Sequence, residues 1–565
     1  MTVVPLFCAR FIHSAGHAST AVNPGVGDRF NMWFNRGFDR FLALYDRLVA
    51  GVVDRPRLTL GVFTALFAAS LLLFPLLGLS FFPQTDAAQF VLRVKAPSGT
   101  RLIDTEKEIA ALEDLIRRVV SKEDLGMIVS NIGVDPGFSA IYTNNAAMHT
   151  AYVQVALTPG HHTGSYEYIE RVKQAMQEEM PQLRAFFASG SLVESVLNMG
   201  LPAPIDVQVA GSNLQADYET ALQLSREIRA IPGVADVFIP QDLDQPALKL
   251  DIDRVRAREL GLSQKEVVTN VITALTSNQM IAPSIWVDPK NGNNYFLTVQ
   301  YAEKQVQNLL DLRSIPLRGS NSTHPTRLDM VSSVQRAEAP TEVDHYQIRR
   351  TIDIYVRPLG EDLGRIATRI DAIIAAQKLP KGIDVTLRGM VEGMRASFRS
   401  FAVGLVLSVL LLFLILVAQF RSFVDPFIIL LALPPGIIGV LITLWATGTT
   451  LNVMSLMGVV MLAGVSMSNS ILIVEFAHHL IHEGKEVRDA VTTACRVRLR
   501  PVIMTSLATI IGLLPMALKM GEGSEAYAPL ARALLGGLTV SVICTVFLVP
   551  AGFFLAYRSK VVQPQ

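Results

Sequence analysis

Residues Met461–Leu480 read MLAGVSMSNSILIVEFAHHL. The run is long and apolar enough for a membrane-spanning helix, yet Ser466, Ser468, Asn469 and Ser470 fall close to its middle. Polar groups at bilayer depth lose their water partners, so they face protein or a hydrated path rather than lipid. Ser466, Asn469 and Ser470 stand at i, i+3 and i+4, which puts them on one helix face. The same residues equally fit plain helix packing, where small and hydroxyl side chains let membrane helices approach.

The rest of the composition agrees with a membrane protein. Half of the 565 residues are hydrophobic, only 18% are charged, and the mean hydropathy is +0.37. A net charge of +1 and the lack of a basic run give no electrostatic case for a nucleic-acid partner. The three cysteines, Cys8, Cys495 and Cys544, lie in or beside apolar segments, so the large polar region holds no disulfide. The start, MTVVPLFCARFI, lacks a basic n-region and is broken by Arg10, unlike a secretory signal peptide. Its dozen residues rise only about 18 Å, which fits the end of a spanning helix rather than a whole one.

From Phe30 to Val53, Phe34, Phe38, Phe41, Tyr45 and Leu48 recur at helical spacing among Arg36, Asp39, Arg40, Asp46 and Arg47. This predicts an amphipathic helix on the membrane surface, closing a first region over residues 1–57. Leu58–Phe82 is a first span; a polar region follows over 83–399. Five further spans are expected within 400–557: Ser400–Ala418, Val424–Trp445, Leu456–Leu480, Pro501–Leu518 and Pro529–Tyr557, before a tail at 558–565.

Lys and Arg sort the connections. Arg36, Arg40, Arg47, Arg55 and Arg57 precede the first span; Lys485, Arg488, Arg496, Arg498 and Arg500 lie between Leu480 and Pro501; Arg558 and Lys560 end the chain. The opposite connections, TGTTLN and MGEGSEAYAP, carry none beyond Lys519 at a helix end. Both termini are therefore expected in the cytoplasm and the large polar region outside.

Within that region, Phe90, Leu92 and Val94 mark a strand, and Ile109, Leu112, Ile116 and Val119 a helix. Ile205, Val207 and Val209 alternate with Asp206 and Gln208; a helix bearing Leu214, Tyr218, Ala221, Leu222 and Ile228 follows, then PGV and the strand VADVFIP. The order returns with Ile352, Ile354 and Val356, the helix face Ile366, Ile370, Ile373 and Ile374, and IDVTLRG. Two such βαβ units predict one ferredoxin-like sandwich interrupted by an insert over 242–343. The insert has its own helix, SQKEVVTNVITALTSN, and a hairpin turning at Asn291–Asn294 before YFLTVQY.

The stretches SFFPQTDAAQFVLRVKAPSGT, APIDVQVAGSN, LDIDRVRARELGLS, VAQFRSFVDPFIILLALPPGIIGVLITLW, TLNVMSLMGVVMLAGVSMSNSILIVEF and RVRLRPVIMTSLATIIGLLPMAL resemble the resistance-nodulation-division efflux permeases, in their hydrophobe/amphiphile branch. The resemblance covers nearly the whole chain and matches the C-terminal half of those two-half permeases. It implies an α-helical membrane protein with six transmembrane helices, one then five, and a large periplasmic α+β region of ferredoxin-like porter subdomains interrupted by a docking subdomain. It implies a secondary transporter rather than an enzyme: proton antiport in the bacterial inner membrane, exporting small amphipathic substrates without a cofactor or metal site. The implied partners are the N-terminal half of the permease, a periplasmic adaptor, an outer-membrane channel and two further copies in a homotrimer. The chain is then a split-gene product or a piece of a longer permease.

The resemblance also places a proton relay. The family's membrane lysine falls on Ser468, beside Asn469; its arginine falls on Arg498 and its threonine on Thr505, while its paired aspartates belong to the other half. No Asp, Glu, Lys or Arg stands mid-span in this sequence, so the chain is expected to need that half for coupling. Arg498 equally fits a positive-inside residue, and Thr505 a hydroxyl bonded to its own helix. The segment NIGVDPGFSAIYTNNAAMHTAYVQV resembles the family's pocket-dividing loop and offers Phe138, Tyr142, Met148 and Tyr152 to substrate, or simply to a strand core. Three other readings stand beside this one: a heavy-metal exporter of the same superfamily, a SecD/SecF-like translocation accessory with the same plan of spans, and a non-transporting remnant.

Overall fold

The computed structural model describes residues 26–133, 147–320, 324–521 and 523–558. They form two compact units: Leu79–Ala396, an α/β unit, and Met1–Gly78 with Ser397–Gln565, a helical unit.

In chain order, α1 (Val26–Asp54) and α2 (Pro56–Leu71) open the helical unit. The α/β unit then begins with β1 (Gln89–Lys95), α3 (Leu102–Val119), β2 (Leu125–Ile132), β3 (Thr150–Leu157), α4 (Ser165–Glu179) and β4 (Arg184–Ala188). These strands pair antiparallel in the order β2-β3-β1-β4, a ferredoxin-like sandwich. Alternation along β1 turns Phe90, Leu92 and Val94 onto Ile109, Leu112, Ile116, Ile169 and Val172 of the two helices.

A second sandwich follows: β5 (Ile205–Gly211), α5 (Leu214–Arg229) and β6 (Val234–Phe238). It is interrupted by β7 (Gln245–Ile252), α6 (Gln264–Thr276), β8 (Ser284–Val287), β9 (Asn294–Leu297) and β10 (Ser332–Ala339). It resumes with β11 (Asp344–Tyr346), β12 (Arg349–Pro358), α7 (Leu363–Ala376) and β13 (Asp384–Gly389). Here β5 and β12 are central, with β13 beside β5 and both β6 and β11 beside β12. The interrupting segment is closed by β7 pairing β10 from Gln245↔Ala339 to Ile252↔Ser332, and has its own core of Leu262, Val267, Val271, Leu312, Leu317 and Leu328. The NGNN turn does join a hairpin, β8 with β9.

The helical unit continues with α8 (Met390–Phe420), α9 (Val424–Leu430), α10 (Leu433–Ala446), α11 (Val453–His482), α12 (Val487–Ala517) and α13 (Ala528–Tyr557). Among the described residues six helical stretches, with α9 and α10 counted together, are long and apolar enough to cross a membrane. Burial concentrates in α9–α10, α11 and α13, at 50–56% of each apolar window, while α2 and α8 stand at 6% and α12 at 17%. Glycine sets the tightest crossing. A methyl group on Gly439 of α10 would lie 2.3 Å from the carbonyl oxygen of Gly536 on α13.

Several expected boundaries move. The first span ends at Leu76, not Phe82. Leu79 and Phe81 belong to the α/β unit, where Leu79 packs on Gly364 and Phe81 on Gly393. The helix that carries the next span starts at Met390, ahead of the apolar run, because Met390–Arg399 holds no proline to stop it. Val424–Trp445 is two helices, broken before Pro434 and Pro435. Arg488, Arg496, Arg498 and Arg500 sit on α12 rather than in a loop. On α1 the buried face is Tyr45, Val49 and Val53, whereas Phe41 and Leu48 are exposed.

Candidate functional site

The polar face of α11 is buried. Ser466, Asn469 and Ser470 are 2%, 7% and 0% exposed. Ser466 Oγ and Ser541 Oγ of α13 lie 3.2 and 3.3 Å from the Ala432 carbonyl oxygen and in hydrogen-bond range of each other, so one hydroxyl donates to the carbonyl and the other to its neighbour. Thr545 Oγ1 extends the chain at 3.4 Å from Ser541. Ala432 sits at the break between α9 and α10, where Pro434 and Pro435 bring no N–H. Hydroxyls from two neighbouring helices thus enter a gap in the backbone ladder, the means by which a broken helix is tolerated away from water. Asn469 Nδ2 points elsewhere and donates to Ser506 Oγ of α12 at 3.3 Å.

The other expected relay residues do not join this network. Ser468 is exposed on the opposite side of α11. Thr505 is exposed too, and its hydroxyl bonds back to the Pro501 and Val502 carbonyls at 3.1 Å each. Arg498 stacks its guanidinium 4.7 Å over the Phe476 ring, with Nε buried and lacking a hydrogen-bond partner. Asn469 alone of the four is in a buried inter-helix hydrogen bond.

A second polar cluster was not legible in advance. Asp425, in the first turn of α9 and 1% exposed, accepts at one oxygen from His478 Nε2 and from the Tyr557 hydroxyl, both at 2.9 Å. The His478 ring meets Phe553 and Tyr557 edge-on at 5.0 and 5.2 Å. The available signal was an Asp at the head of an apolar run; its partners are 53 and 132 residues away.

In the α/β unit, Phe138 and Tyr142 lie outside the described residues. Met148 is 56% exposed. Tyr152 is half-buried, with Arg93 5.6 Å over its ring, and lines a small pocket with Lys95, Phe238 and Pro240. Lys95 anchors that pocket: its ammonium is 2.8 Å from Asp242 and donates to the carbonyls of Ile239, Pro240 and Gln241. His149 holds the other Asp242 oxygen at 3.0 Å. Burial alone raises the Asp242 pKa, but the His149 hydrogen bond and the Lys95 charge outweigh it and hold the carboxyl below its ordinary range.

One known family has a model that matches residues 1–557. The chain belongs to the AcrB/AcrD/AcrF family of resistance-nodulation-division permeases. Members are transporters, and this one is a multi-pass membrane protein with an α/β region. Two solved structures share its fold, both of a heavy metal efflux pump, in crystal forms II and I. They have TM-scores of 0.78 and 0.79 and identities of 24% and 23%, each over 92% of this chain. The chain spans 53% and 52% of the length of those two proteins.

Proposed function

We propose that this chain acts as the C-terminal half of a proton-driven exporter in the inner membrane, with the α/β unit in the periplasm and small amphipathic compounds as cargo. The observation that carries the reading is an open stripe on α11. Met457, Met461, Gly464, Ser468, Glu475 and His479 recur at helical spacing and are all exposed. Glycine, hydroxyl and titratable side chains are ill suited to lipid and well suited to a partner helix. An N-terminal half covering this stripe would place its own titratable groups against Ser468 and, on α12, Thr505. Coupling then needs both halves, because no Asp, Glu, Lys or Arg stands in the middle of an apolar run of the sequence.

The β8–β9 hairpin supports assembly with other proteins. Ile285, Trp286, Tyr295, Phe296 and Leu297 are each at least half exposed, an apolar surface that calls for cover. A homotrimer of the complete permease, a periplasmic adaptor and an outer-membrane channel are the partners this reading assigns. Phe138, Tyr142, Met148 and Tyr152 remain its substrate-contact residues.

A heavy-metal cargo is the second reading, favoured by the two solved structures that share the fold. The amphiphile reading is placed first on the long sequence stretches that resemble that branch.

Expression in a drug- and metal-sensitive host, with and without an N-terminal half, separates these. Dye efflux under a proton gradient only when both halves are present is the expected result. Efflux from this chain alone sinks the half-transporter reading; restored metal tolerance without dye efflux moves the cargo to metal ions; neither with both halves present leaves a remnant.

A further inference from the structure

The second sandwich of the α/β unit has an apolar sheet face against its helices and a largely polar sheet face turned away from them. On β5, Ile205, Val207 and Val209 are core, and the alternating residues are Asp206 and Gln208. A polar face of this kind ordinarily meets water. Here Asp206, Gln208, Asp353 and Tyr355 are 0%, 4%, 6% and 2% exposed, because the first sandwich covers them. Phe186 of β4 packs on Phe238 and Tyr355, and Lys95 of β1 is tied to Asp242.

The covered face is strongly acidic, and its carboxylates share amide donors. Gln208 Nε2 donates to Asp206 Oδ2 and to Asp353 Oδ1, both at 3.0 Å. Gln241 Nε2 donates to Asp344 Oδ2 at 2.6 Å and to Asp353 Oδ2 at 3.1 Å. Glu342 lies in electrostatic range of Asp344 and Asp353. Asp206 Oδ1 and Glu342 Oε1 are buried without a hydrogen-bond partner.

The facing cations do not balance this. Arg388 of β13 approaches Gln208 Oε1 at 3.5 Å and stacks on Tyr346. Arg93 of β1 acts on Glu342 and Tyr355 from the other sheet. Lys95 is ion-paired with Asp242, which it shares with His149, and acts on Glu342 through space without a contact. Four carboxylates thus meet two uncommitted guanidiniums, two negative charges in excess if all are ionised. Closing apolar walls over uncompensated charge is costly enough that such groups neutralise instead.

We propose that Asp206, Glu342 and Asp353, with Asp344 as their charged neighbour, form a proton-binding site of the α/β unit, loaded while the two sandwiches are packed together and emptied when they part. The proton comes from solvent and returns to it, and no covalent bond changes. A metal occupant fits less well, since both Asp353 oxygens already accept amide hydrogens rather than converging on a common point. Burial, followed by the neighbouring carboxylates, raises Glu342 to about 8. Burial and Asp344 raise Asp353 to about 6, and burial and Asp353 push Asp206 well above its usual value. A raised carboxyl favours the closed form below its closed-state pKa and stops doing so as pH climbs through that value.

The test uses the full chain in lipid nanodiscs. Infrared difference spectra across the neutral range should show the carbonyl stretch of a protonated carboxyl, lost in Asp206→Asn and Glu342→Gln. Hydrogen exchange of β1 and β12, corrected for intrinsic rate, should lose protection by up to about tenfold per pH unit for each bound proton as pH rises toward 8. A combined Asp206→Asn, Glu342→Gln, Asp353→Asn variant, which keeps the shape of the neutral form, should give a flat profile. Wild-type protection that is flat with pH, with no acid carbonyl band, overturns the proposal even if the variants fail to fold. Protection that instead falls on chelation at constant pH overturns it in favour of a divalent cation.

Discussion

Asp425 and His478 hydrogen-bond at 2.9 Å across two helices, and Tyr557 donates to the same carboxylate oxygen from a third. Truncating the shared acceptor takes the carboxylate from His478 Nε2 and one hydrogen bond from Tyr557. Asp425→Ala should therefore cost about 1–3 kcal/mol, read as a lowered unfolding midpoint in detergent. Asp425→Asn should cost less, since its amide oxygen still accepts. Glu475→Ala, at an exposed position of α11, should stay within about 0.5 kcal/mol and serves as the control.

Glycines on two faces of the helical unit separate internal packing from partner contact. Gly536→Ala would press a methyl carbon 1.9 Å from Thr443 Oγ1. It should cost about 1–3 kcal/mol through overpacking and lower the yield of folded, monodisperse protein. Gly464→Ala meets nothing within 4 Å and should be neutral to the chain alone.

Gly464→Phe and Ser468→Phe extend that contrast to function. Both positions are exposed, so the isolated chain should fold and insert as before. If an N-terminal half seats on this stripe, co-purification with it should fall and dye efflux should be lost. Unchanged co-purification would remove the stripe from the interface.

Lys95→Met leaves Asp242 buried with His149 alone. Breaking a buried pair from one side should cost the α/β unit about 3–5 kcal/mol, and Lys95→Met with Asp242→Leu should recover much of it. The measurement is resistance of the Leu79–Ala396 region to limited proteolysis. The pH sign follows from the lowered Asp242 pKa. Its contribution is present above the ordinary carboxylate value near 3.8 and is lost as pH falls through the lower native one.

Arg498→Ala removes a guanidinium stacked on Phe476, a contact worth about 0.5–2 kcal/mol. Membrane insertion should be intact and efflux by the two-half permease lost. Retained efflux would return Arg498 to a topological role.

Much of this protein was legible in its sequence because the signals are local. Apolar runs flag the spans without tertiary context, and alternation along Ile205–Val209 with its return at Ile352–Val356 gave the interrupted sandwich, since strand and helix periods are set by backbone geometry. Long-range placement was not legible. Ser468 and Asn469 are adjacent in sequence, yet a rotation of about 100° puts one in a hydrogen bond to Ser506 and the other on the open face. Asp206 and Gln208 read as a wet strand face, and only the packing of a second sandwich turned them into a closed acidic interior. Asp425, His478 and Tyr557 carry no motif spacing, because three helices must fold before they meet. Periodicity fixes which residues share a face; what covers that face depends on contacts far apart in the chain, and those contacts decide whether a polar group is solvated, paired or charged.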